Sequence, residues 1–174
     1  FGHITRATVV KTILCPATEI KAEGIQECAR VARGSEVDAL EFMDRGFSLR
    51  IPSSLGHKTR YSPDQRTTRY HVAPVARGRV LDAYSYVGSI GLAAARGGAD
   101  EVVCIDSSAP AVAAGAAIAQ HHDLLAKVQF QKADIRRKLP ELARAGETFD
   151  LVVVDPPKLI PSKRHLDRGR KAYV

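Results

Sequence analysis

The sequence predicts an α/β fold with a parallel sheet, because four short apolar runs recur along the chain and each ends at an aspartate. The runs cover residues 80–82, 102–106, 128–134 and 151–155. Successive aspartates lie 21 to 28 residues apart, which leaves room for a helix and a return to a parallel strand. The carboxyl ends of the strands should therefore form one edge, where open α/β sheets bind ligands. That edge would carry the four run-ending residues Asp82, Asp106, Asp134 and Asp155.

Helices are expected between these runs. Residues 91–96 and 110–121 are alanine-rich, and the second segment has Ser107 or Ser108 as a candidate N-cap. Two more helices are expected, over residues 139–144 before the fourth strand and over residues 67–75 ahead of the first.

The beginning of the chain has a different pattern. Residues 1–45 are interpreted as a connecting segment and residues 46–174 as the ligand-binding domain. In the connecting segment a strand is expected over residues 8–14 and a helix from Ile20 to Val31. Alternating runs at residues 40–43 and 47–51 flank a glycine-containing turn and predict a β-hairpin that starts in this segment.

The composition is that of an ordinary globular protein. The chain has 174 residues, 45% hydrophobic and 26% charged, which suffices for one sizeable core with a small appendage. No apolar stretch is long enough to span a membrane, and the chain does not open with a signal-peptide pattern. Its three cysteines show no CxxC spacing, so a reducing, cytoplasmic location and no metal site are expected.

Positive charge is concentrated around the predicted sheet. The chain has 26 lysine and arginine residues against 19 aspartate and glutamate residues, a formal net charge of +7. The surplus lies in three clusters: Arg77 with Arg79, residues 136–138, and six basic residues within residues 158–171. Because all three clusters flank ends of the same sheet, RNA is the expected partner.

A row of carboxylates suits a ligand with ribose hydroxyls, an adenine amine and a cationic centre, and S-adenosyl-L-methionine has all three. Asp106, at the end of the second strand, is the expected acceptor for the ribose hydroxyls. The loop at residues 82–91 contains glycine but lacks the G-x-G-x-x-G pattern with which dinucleotide enzymes hold a pyrophosphate. A dehydrogenase is therefore disfavoured, and Gly88 would let the backbone approach the methionine part of the cofactor.

The turn after the fourth strand reads Asp155-Pro156-Pro157-Lys158. It is stiff because proline fixes φ, and it lacks two backbone donors. It would project a carboxylate and free carbonyl groups over the cofactor pocket, where they could accept hydrogen bonds from a substrate amine or amide.

The chain resembles the bacterial ribosomal RNA large-subunit methyltransferase I family, a group of class I S-adenosylmethionine-dependent enzymes that make 5-methylcytosine. The resemblance covers about residues 36–174. It is carried by Gly56-His57-Lys58-Thr59 with Asp64-Gln65-Arg66, the loop at residues 82–88, Asp106-Ser107, Asp134, and Asp155-Pro156-Pro157-Lys158. It implies a Rossmann-like methyltransferase sheet, preceded by a small α+β segment, and an enzyme that methylates large-subunit ribosomal RNA at cytosine C5.

The resemblance also implies roles for individual residues. A lid over the methionine end of the cofactor would be formed by Lys58, Tyr61, Gln65 and Arg66. The amino-acid moiety would be held by Asp82 and by the loop that contains Tyr84, Ser85 and Gly88. Asp106, with Ser107 beside it, would bind the ribose, and Asp134 would accept from the adenine amine. Asp155, supported by Lys158, would lie between the cofactor and the target base.

The chain departs from the family pattern at Arg60, Pro63, Val87 and Ser89, which leaves their effect on cofactor affinity open. A larger difference concerns the chemistry, because cytosine C5 is activated only when a thiolate adds to C6. In the family this cysteine lies on a later strand, and none of Cys15, Cys28 and Cys104 falls in a suitable loop. The chain is therefore expected to be an incomplete methyltransferase sheet, inactive alone, with its nucleophile beyond residue 174.

Two other functions fit part of the pattern. An amino-methylating nucleic-acid enzyme would hold an exocyclic amine with the Asp-Pro-Pro turn, although such enzymes usually follow the prolines with an aromatic residue, where this chain has Lys158. A non-catalytic RNA-binding module would keep the basic clusters without the chemistry. The sequence leaves open which nucleotide is modified and whether the protein forms a homodimer.

Overall fold

The structure, a computed structural model, describes residues 13–15, 30–33, 38–44, 46–55 and 65–156. The chain divides into two compact units, residues 1–62 and residues 63–174. Among the described residues, no helix has the length and apolar character needed to cross a membrane. The sheet that carries the four aspartates lies wholly in the second unit.

The described part of the first unit consists of two antiparallel strand pairs. Strand β1 (Ile13–Cys15) pairs with β2 (Arg30–Arg33), and β3 (Ala39–Asp44) pairs with β4 (Phe47–Pro52). The second pair confirms the predicted hairpin. It turns at Gly46, whose φ of 81° is a left-handed value that glycine adopts without steric cost.

The first unit differs from expectation in two places. The helix expected from Ile20 to Val31 is wrong at its end, because Arg30 and Val31 belong to β2, while residues 20–29 lie outside the described ranges. These residues form a strand because they pair with β1, and the spacing of residues along the chain does not reveal such a distant partner. The units also divide after residue 62, later than the boundary expected at residue 46, because β3 and β4 pair along their whole length.

The second unit is built on the predicted parallel sheet, which is confirmed. Its strands are β5 (Arg79–Ala83), β6 (Glu101–Asp106), β7 (Val128–Lys132) and β8 (Leu151–Val154), in the spatial order β7-β6-β5-β8. Its helices are α1 (Arg66–Val75), α2 (Ser89–Gly97), α3 (Ala109–His121) and α4 (Ile135–Arg144). Helix α4 begins at Ile135, earlier than predicted, because the Asp134 side chain accepts from the backbone N–H of Arg136 and caps the first turn.

Helices pack on both faces of the two inner strands, β5 and β6, which explains why these are nearly continuous apolar runs, whereas Val152 and Val154 of β8 stay about half exposed. On one face, a buried cluster contains Leu81, Val103, Ile105 and Ile135, and Leu139 and Leu142 of α4 pack against it. On the opposite face, Gly91 of α2 lies so close to β6 that a Cβ there would overlap the sulfur of Cys104. All four residues from Val102 to Ile105 are at most 2% exposed, so β6 is the centre of the core.

The ring of Phe130 on β7 ties helix α3 to the loop that follows β5. A Cβ on Gly115, in the middle of α3, would overlap the ring and would lie 2.7 Å from the carbonyl oxygen of Val87. A Cβ on Gly88 would lie 2.6 Å from the same ring. The helix and the loop therefore approach β7 more closely than any residue with a side chain would allow.

We expect Gly115→Ala to destabilise the protein by about 1 to 3 kcal/mol, because the added methyl overpacks the contact with Phe130 and Val87. In a helix without such a contact, the same substitution would stabilise by about 1 kcal/mol, so the sign of the change is informative. The measurement is urea unfolding. Ala117→Gly, at an exposed position of the same helix, serves as the control and should cost about 1 kcal/mol. A stabilised Gly115→Ala variant would contradict the packing.

Asp82 is the one buried carboxyl group among the described residues, at 2% exposure. Its side chain lies on the α2 face of the sheet, where Oδ2 accepts from the backbone N–H of Gly91 at 2.8 Å. Burial raises the pKa of Asp82 to about 7; the Gly91 hydrogen bond opposes this shift, and the charges of Asp155 and Asp106 add to it. The folded protein therefore binds a proton at Asp82 that the unfolded chain releases at much lower pH.

This raised pKa predicts a loss of stability as pH rises. The favourable protonated state of Asp82 is fully present below the ordinary carboxyl pKa, near 4, and is lost as pH rises through the folded-state pKa of about 7. Between pH 5 and pH 8 the wild type should lose about 3 kcal/mol of unfolding free energy relative to Asp82→Asn. Asp100→Asn, which neutralises an exposed carboxylate, is the control and should follow the wild type. Parallel curves for wild type and Asp82→Asn in urea titrations would refute the prediction.

Candidate functional site

The four aspartates follow the sheet from one side to the other, in the order Asp134, Asp106, Asp82, Asp155. Asp106 is the last residue of β6, Asp155 directly follows β8, and Asp134 comes just after β7. Asp82 differs, because β5 continues to Ala83 and the carboxyl group is buried beneath the loop rather than exposed at the edge. The expectation that Asp82 ends its strand is therefore wrong by one residue.

Asp106 is held by backbone donors on both carboxylate oxygens. The N–H of Tyr86 donates to Oδ2 and the N–H of Ser108 donates to Oδ1, each at 2.8 Å. Ser108 in turn caps α3 by accepting from Ala111, whereas Ser107 is exposed beside it. A carboxylate has about four lone-pair positions, so two remain to accept from a ligand. The side chain is thus oriented in advance for a pair of hydroxyl groups.

The loop between β5 and α2 holds an unfavourable backbone conformation. Tyr84 and Tyr86 have φ values of 61° and 54°, and Gly88 has a φ of 70°. A tyrosine in the left-handed region costs of order 1 kcal/mol or more, and such residues gather at sites that clamp ligands. Backbone hydrogen bonds compensate, because the N–H of Ser85 donates to the carbonyl of Ile105 at 3.0 Å and Tyr86 donates to Asp106. The loop is therefore preorganised against β6.

Ser85 lies between the two strained tyrosines and is 8% exposed. Its hydroxyl oxygen makes no hydrogen bond to any part of the chain that the structure describes. A buried polar group without a partner costs about 1 to 3 kcal/mol. This cost, at the carboxyl edge of the sheet, is explained if a bound molecule supplies the missing hydrogen-bond partner of the Ser85 hydroxyl.

Asp134 is engaged more fully than the sequence suggested. Its Oδ1 accepts from the backbone N–H and from Nε of Arg136, both at 3.1 Å, and its Oδ2 accepts from Nη2 at 2.8 Å. The hydrogen bonds from the Arg136 side chain, together with its backbone and its charge, lower the pKa of Asp134. Three of the carboxylate's lone-pair positions are occupied, so a ligand amine would have to use the fourth, on Oδ2.

Asp155 is exposed and accepts a hydrogen bond from the side-chain amide of Gln65, the residue before α1. The structure thus joins one residue of the expected lid to the turn after β8. Arg66 is exposed at the start of α1. The remaining expected site residues, Lys58, Tyr61 and Lys158, lie outside the described ranges.

Several residues that shape the site escaped the sequence analysis. Cys104 and Phe130 lie beneath the loop, against Gly88, and Gly91 donates to Asp82. Their sequence signal was weak, because strand alternation gives the side of a residue within its own strand, and the register that aligns residues 82, 104 and 130 is seen only in the structure. Burial raises the pKa of the Cys104 thiol well above its ordinary value, so it is not a thiolate at neutral pH. Within the described ranges, no three histidine, cysteine, aspartate or glutamate side chains are grouped as a metal site.

The geometry combines oriented carboxylates with a preorganised glycine-containing loop. Asp106 can bind vicinal hydroxyls, the hydroxyl of Ser85 can bind a polar group of a ligand over the loop, and Asp155 adds negative charge. This arrangement suits a nucleoside that also carries a positive charge, and it is unsuited to a bare polyphosphate.

The chain matches a family model and several known proteins. A family model described as Conserved hypothetical protein 95 matches residues 49–159. The Ribosomal RNA large subunit methyltransferase I of Aeromonas salmonicida (strain A449) is 35% identical over 156 residues, which cover 88% of this chain and 39% of that protein. The chain thus spans about two fifths of the length of the curated relatives it matches.

Solved structures share the fold. A protein described as a methyltransferase, solved in complex with SAH (S-adenosylhomocysteine), superposes with a TM-score of 0.68 at 26% identity, covering 76% of this chain and 36% of that one. A SAM-dependent methyltransferase from Agrobacterium tumefaciens gives a TM-score of 0.72 at 19% identity, covering 85% and 47%, which supports the fold alone.

The Rossmann-like class I methyltransferase fold expected from the sequence is therefore confirmed, and so is the resemblance to the ribosomal RNA large-subunit methyltransferase I family. Since the matched family model covers more than half of the chain, the protein belongs to the family described as Conserved hypothetical protein 95.

Proposed function

We propose that this chain binds S-adenosyl-L-methionine at the carboxyl edge of β5 to β8 and serves the methylation of RNA. The observation that carries the proposal is Asp106, whose two oxygens are fixed by backbone donors while two lone-pair positions stay available for ribose hydroxyls. The match to a methyltransferase solved with SAH supports the same ligand. When bound, this cofactor supplies an electrophilic methyl group on a sulfonium centre.

Different residues of the chain would bind different parts of the cofactor. Asp106 accepts from the ribose, with Ser107 beside it, and Asp134 accepts from the adenine amine through the lone pair that Arg136 leaves free on Oδ2. The loop with Tyr84, Ser85 and Gly88 faces the methionine part, and the Ser85 hydroxyl gains its missing partner there. Asp82 supports the site from the buried side of the loop, because its carboxylate accepts a hydrogen bond from the N–H of Gly91 and so holds the first turn of α2.

The other side of the cofactor would be closed by residues near β8. Gln65 holds the Asp155 carboxylate by its side-chain amide, so both stay close to the methyl group and to the target base. Lys58, Tyr61 and Arg66 complete the lid, as the resemblance implies, and Lys158 supports Asp155. This lid would exclude water from the reacting groups.

We further propose large-subunit ribosomal RNA as the substrate and cytosine C5 as the methylated position. The relatives are named as ribosomal RNA large subunit methyltransferases, and an enzyme of ribosomal RNA would work in the cytoplasm. Chemistry at C5 needs a cysteine thiolate, and Cys104 does not fit because its thiol is buried and its pKa is raised. The nucleophile of such an enzyme would therefore be a cysteine other than Cys104.

The first test of this function is the affinity for SAH, measured by calorimetry. Asp106→Ala should weaken binding roughly tenfold to a hundredfold, because a charged acceptor of two hydroxyl groups is lost. Asp100→Ala removes an exposed carboxylate just before the opposite end of the same strand and should leave the affinity unchanged. If Asp106→Ala binds SAH as tightly as the wild type, the ribose assignment fails. If the wild type binds RNA but no SAH, the protein is a non-catalytic RNA-binding module.

A second test uses the unpaired hydroxyl of Ser85. Ser85→Ala should leave the free protein equally stable or up to about 1 kcal/mol more stable, because it removes a buried polar group without a partner. The same change should weaken SAH binding roughly threefold to tenfold, since the ligand loses a hydrogen bond. Urea unfolding and calorimetry give the two values. A destabilised variant with unchanged affinity would show that the hydroxyl serves the fold.

A further inference from the structure

Helix α4 has two contrasting sides. Ile135, Leu139 and Leu142 face the sheet and pack with its buried cluster. Arg137 and Arg144 lie on the opposite side, and both are exposed. They are seven residues apart, which is two helical turns and about 10 Å along the axis. Two exposed positive charges therefore lie on the outer surface of α4, and the exposed Glu141 between them is directed towards Lys138.

Neither arginine forms an ion pair with an acidic side chain in the part of the chain that the structure describes. Arg137 makes no ion pair or side-chain hydrogen bond to any residue in the described part of the chain. Arg144 donates from Nε to the carbonyl of Pro140 at 3.1 Å, which leaves the two terminal nitrogens of its guanidinium group without a partner among the described residues. Their neighbours differ, because Arg136 is bound to Asp134 and Lys138 lies 3.6 Å from Glu141. The charge that remains free on α4 belongs to Arg137 and Arg144.

The charge of the second unit is unevenly distributed. Within residues 65–156, the stretch from 132 to 144 has five basic and two acidic residues, whereas the rest has six basic and eight acidic residues. Helix α3, on the opposite face of the sheet, carries no lysine, arginine, aspartate or glutamate. A polyanion that approaches this part of the protein is therefore attracted to α4 and repelled by the acidic edge.

The basic surface begins at the proposed cofactor site. Asp134, which caps α4, is one of the four edge aspartates, and Arg136 in the first turn is bound to it. Tyr84 of the strained loop packs against the buried cluster that contains Ile135. A phosphate bound at Arg137 would thus lie near the edge where the methyl group is presented, and one bound at Arg144 would lie two helical turns farther from it.

We propose that the outer surface of α4 is a docking surface for the phosphate backbone of the RNA substrate, with Arg137 and Arg144 as its two phosphate contacts. RNA is favoured over an acidic peptide because the exposed apolar side chains of α4 are only the small Pro140 and Ala143, which give little apolar surface for a peptide, and guanidinium groups match phosphate geometry. The identity of the polyanion rests on the proposed function, while the position of the surface does not.

The test is the salt dependence of RNA binding by the whole 174-residue chain, measured by fluorescence anisotropy with a labelled RNA hairpin. The double variant Arg137→Gln, Arg144→Gln should lower affinity about tenfold or more near 0.1 M salt, and should reduce the slope of log K against log salt by about 1.4 to 1.8. The matched control is Arg50→Gln, Arg96→Gln, which removes the same charge from exposed positions on β4 and α2 and should keep the wild-type slope.

Calorimetry with SAH separates this inference from the proposed function. If both double variants bind SAH equally well and only the α4 variant loses slope, the docking surface is supported. If the wild type fails to bind SAH but the slopes still differ in this way, the surface stands and the proposed cofactor site falls. Equal slopes for the two double variants, or a wild type without measurable RNA binding, would overturn the docking surface.

Discussion

The carboxylate of Asp106 holds three elements of the second unit in one arrangement. It is the last residue of the central strand β6, it accepts from Tyr86 in the loop after β5, and it accepts from Ser108 at the start of α3. Because hydrogen bonds to an ionised acceptor are strong, these contacts can sustain the left-handed conformation of Tyr86. The same orientation leaves the outward lone pairs free, so the constraint that shapes the loop also shapes the ligand site.

Several costs are concentrated at this edge of the sheet. The strained tyrosines, the unpaired hydroxyl of Ser85 and the buried carboxyl of Asp82 each lower the stability of the free protein by kcal/mol amounts. Beneath them, residues 102–105 of β6 are buried between α4 on one side and α2 and α3 on the other. A rigid core of this kind can support unfavourable local groups, which is common where a protein holds a ligand in a fixed geometry.

Much of this architecture could be predicted from the sequence, because it depends on local patterns. Apolar runs, alanine-rich segments and a glycine turn indicated the four parallel strands, the four helices and the hairpin. Strand β2 cannot be predicted from local spacing because it depends on its partner β1, and the early start of α4 depends on the capping hydrogen bond to Asp134, a residue whose place after a strand indicates a ligand group. The depth of Asp82 and the pairing of Asp134 with Arg136 depend on three-dimensional packing, which spacing along the chain does not report.

The position of Cys104 makes its sulfur a natural reporter of motion. It lies beneath Gly88 and Gly91, and it is fully buried. A thiol reagent reaches this sulfur only when the loop after β5 lifts away from β6 or when the whole unit unfolds. The rate of Cys104 labelling under native conditions therefore measures how often the loop opens, and a ligand that binds across the closed loop slows it.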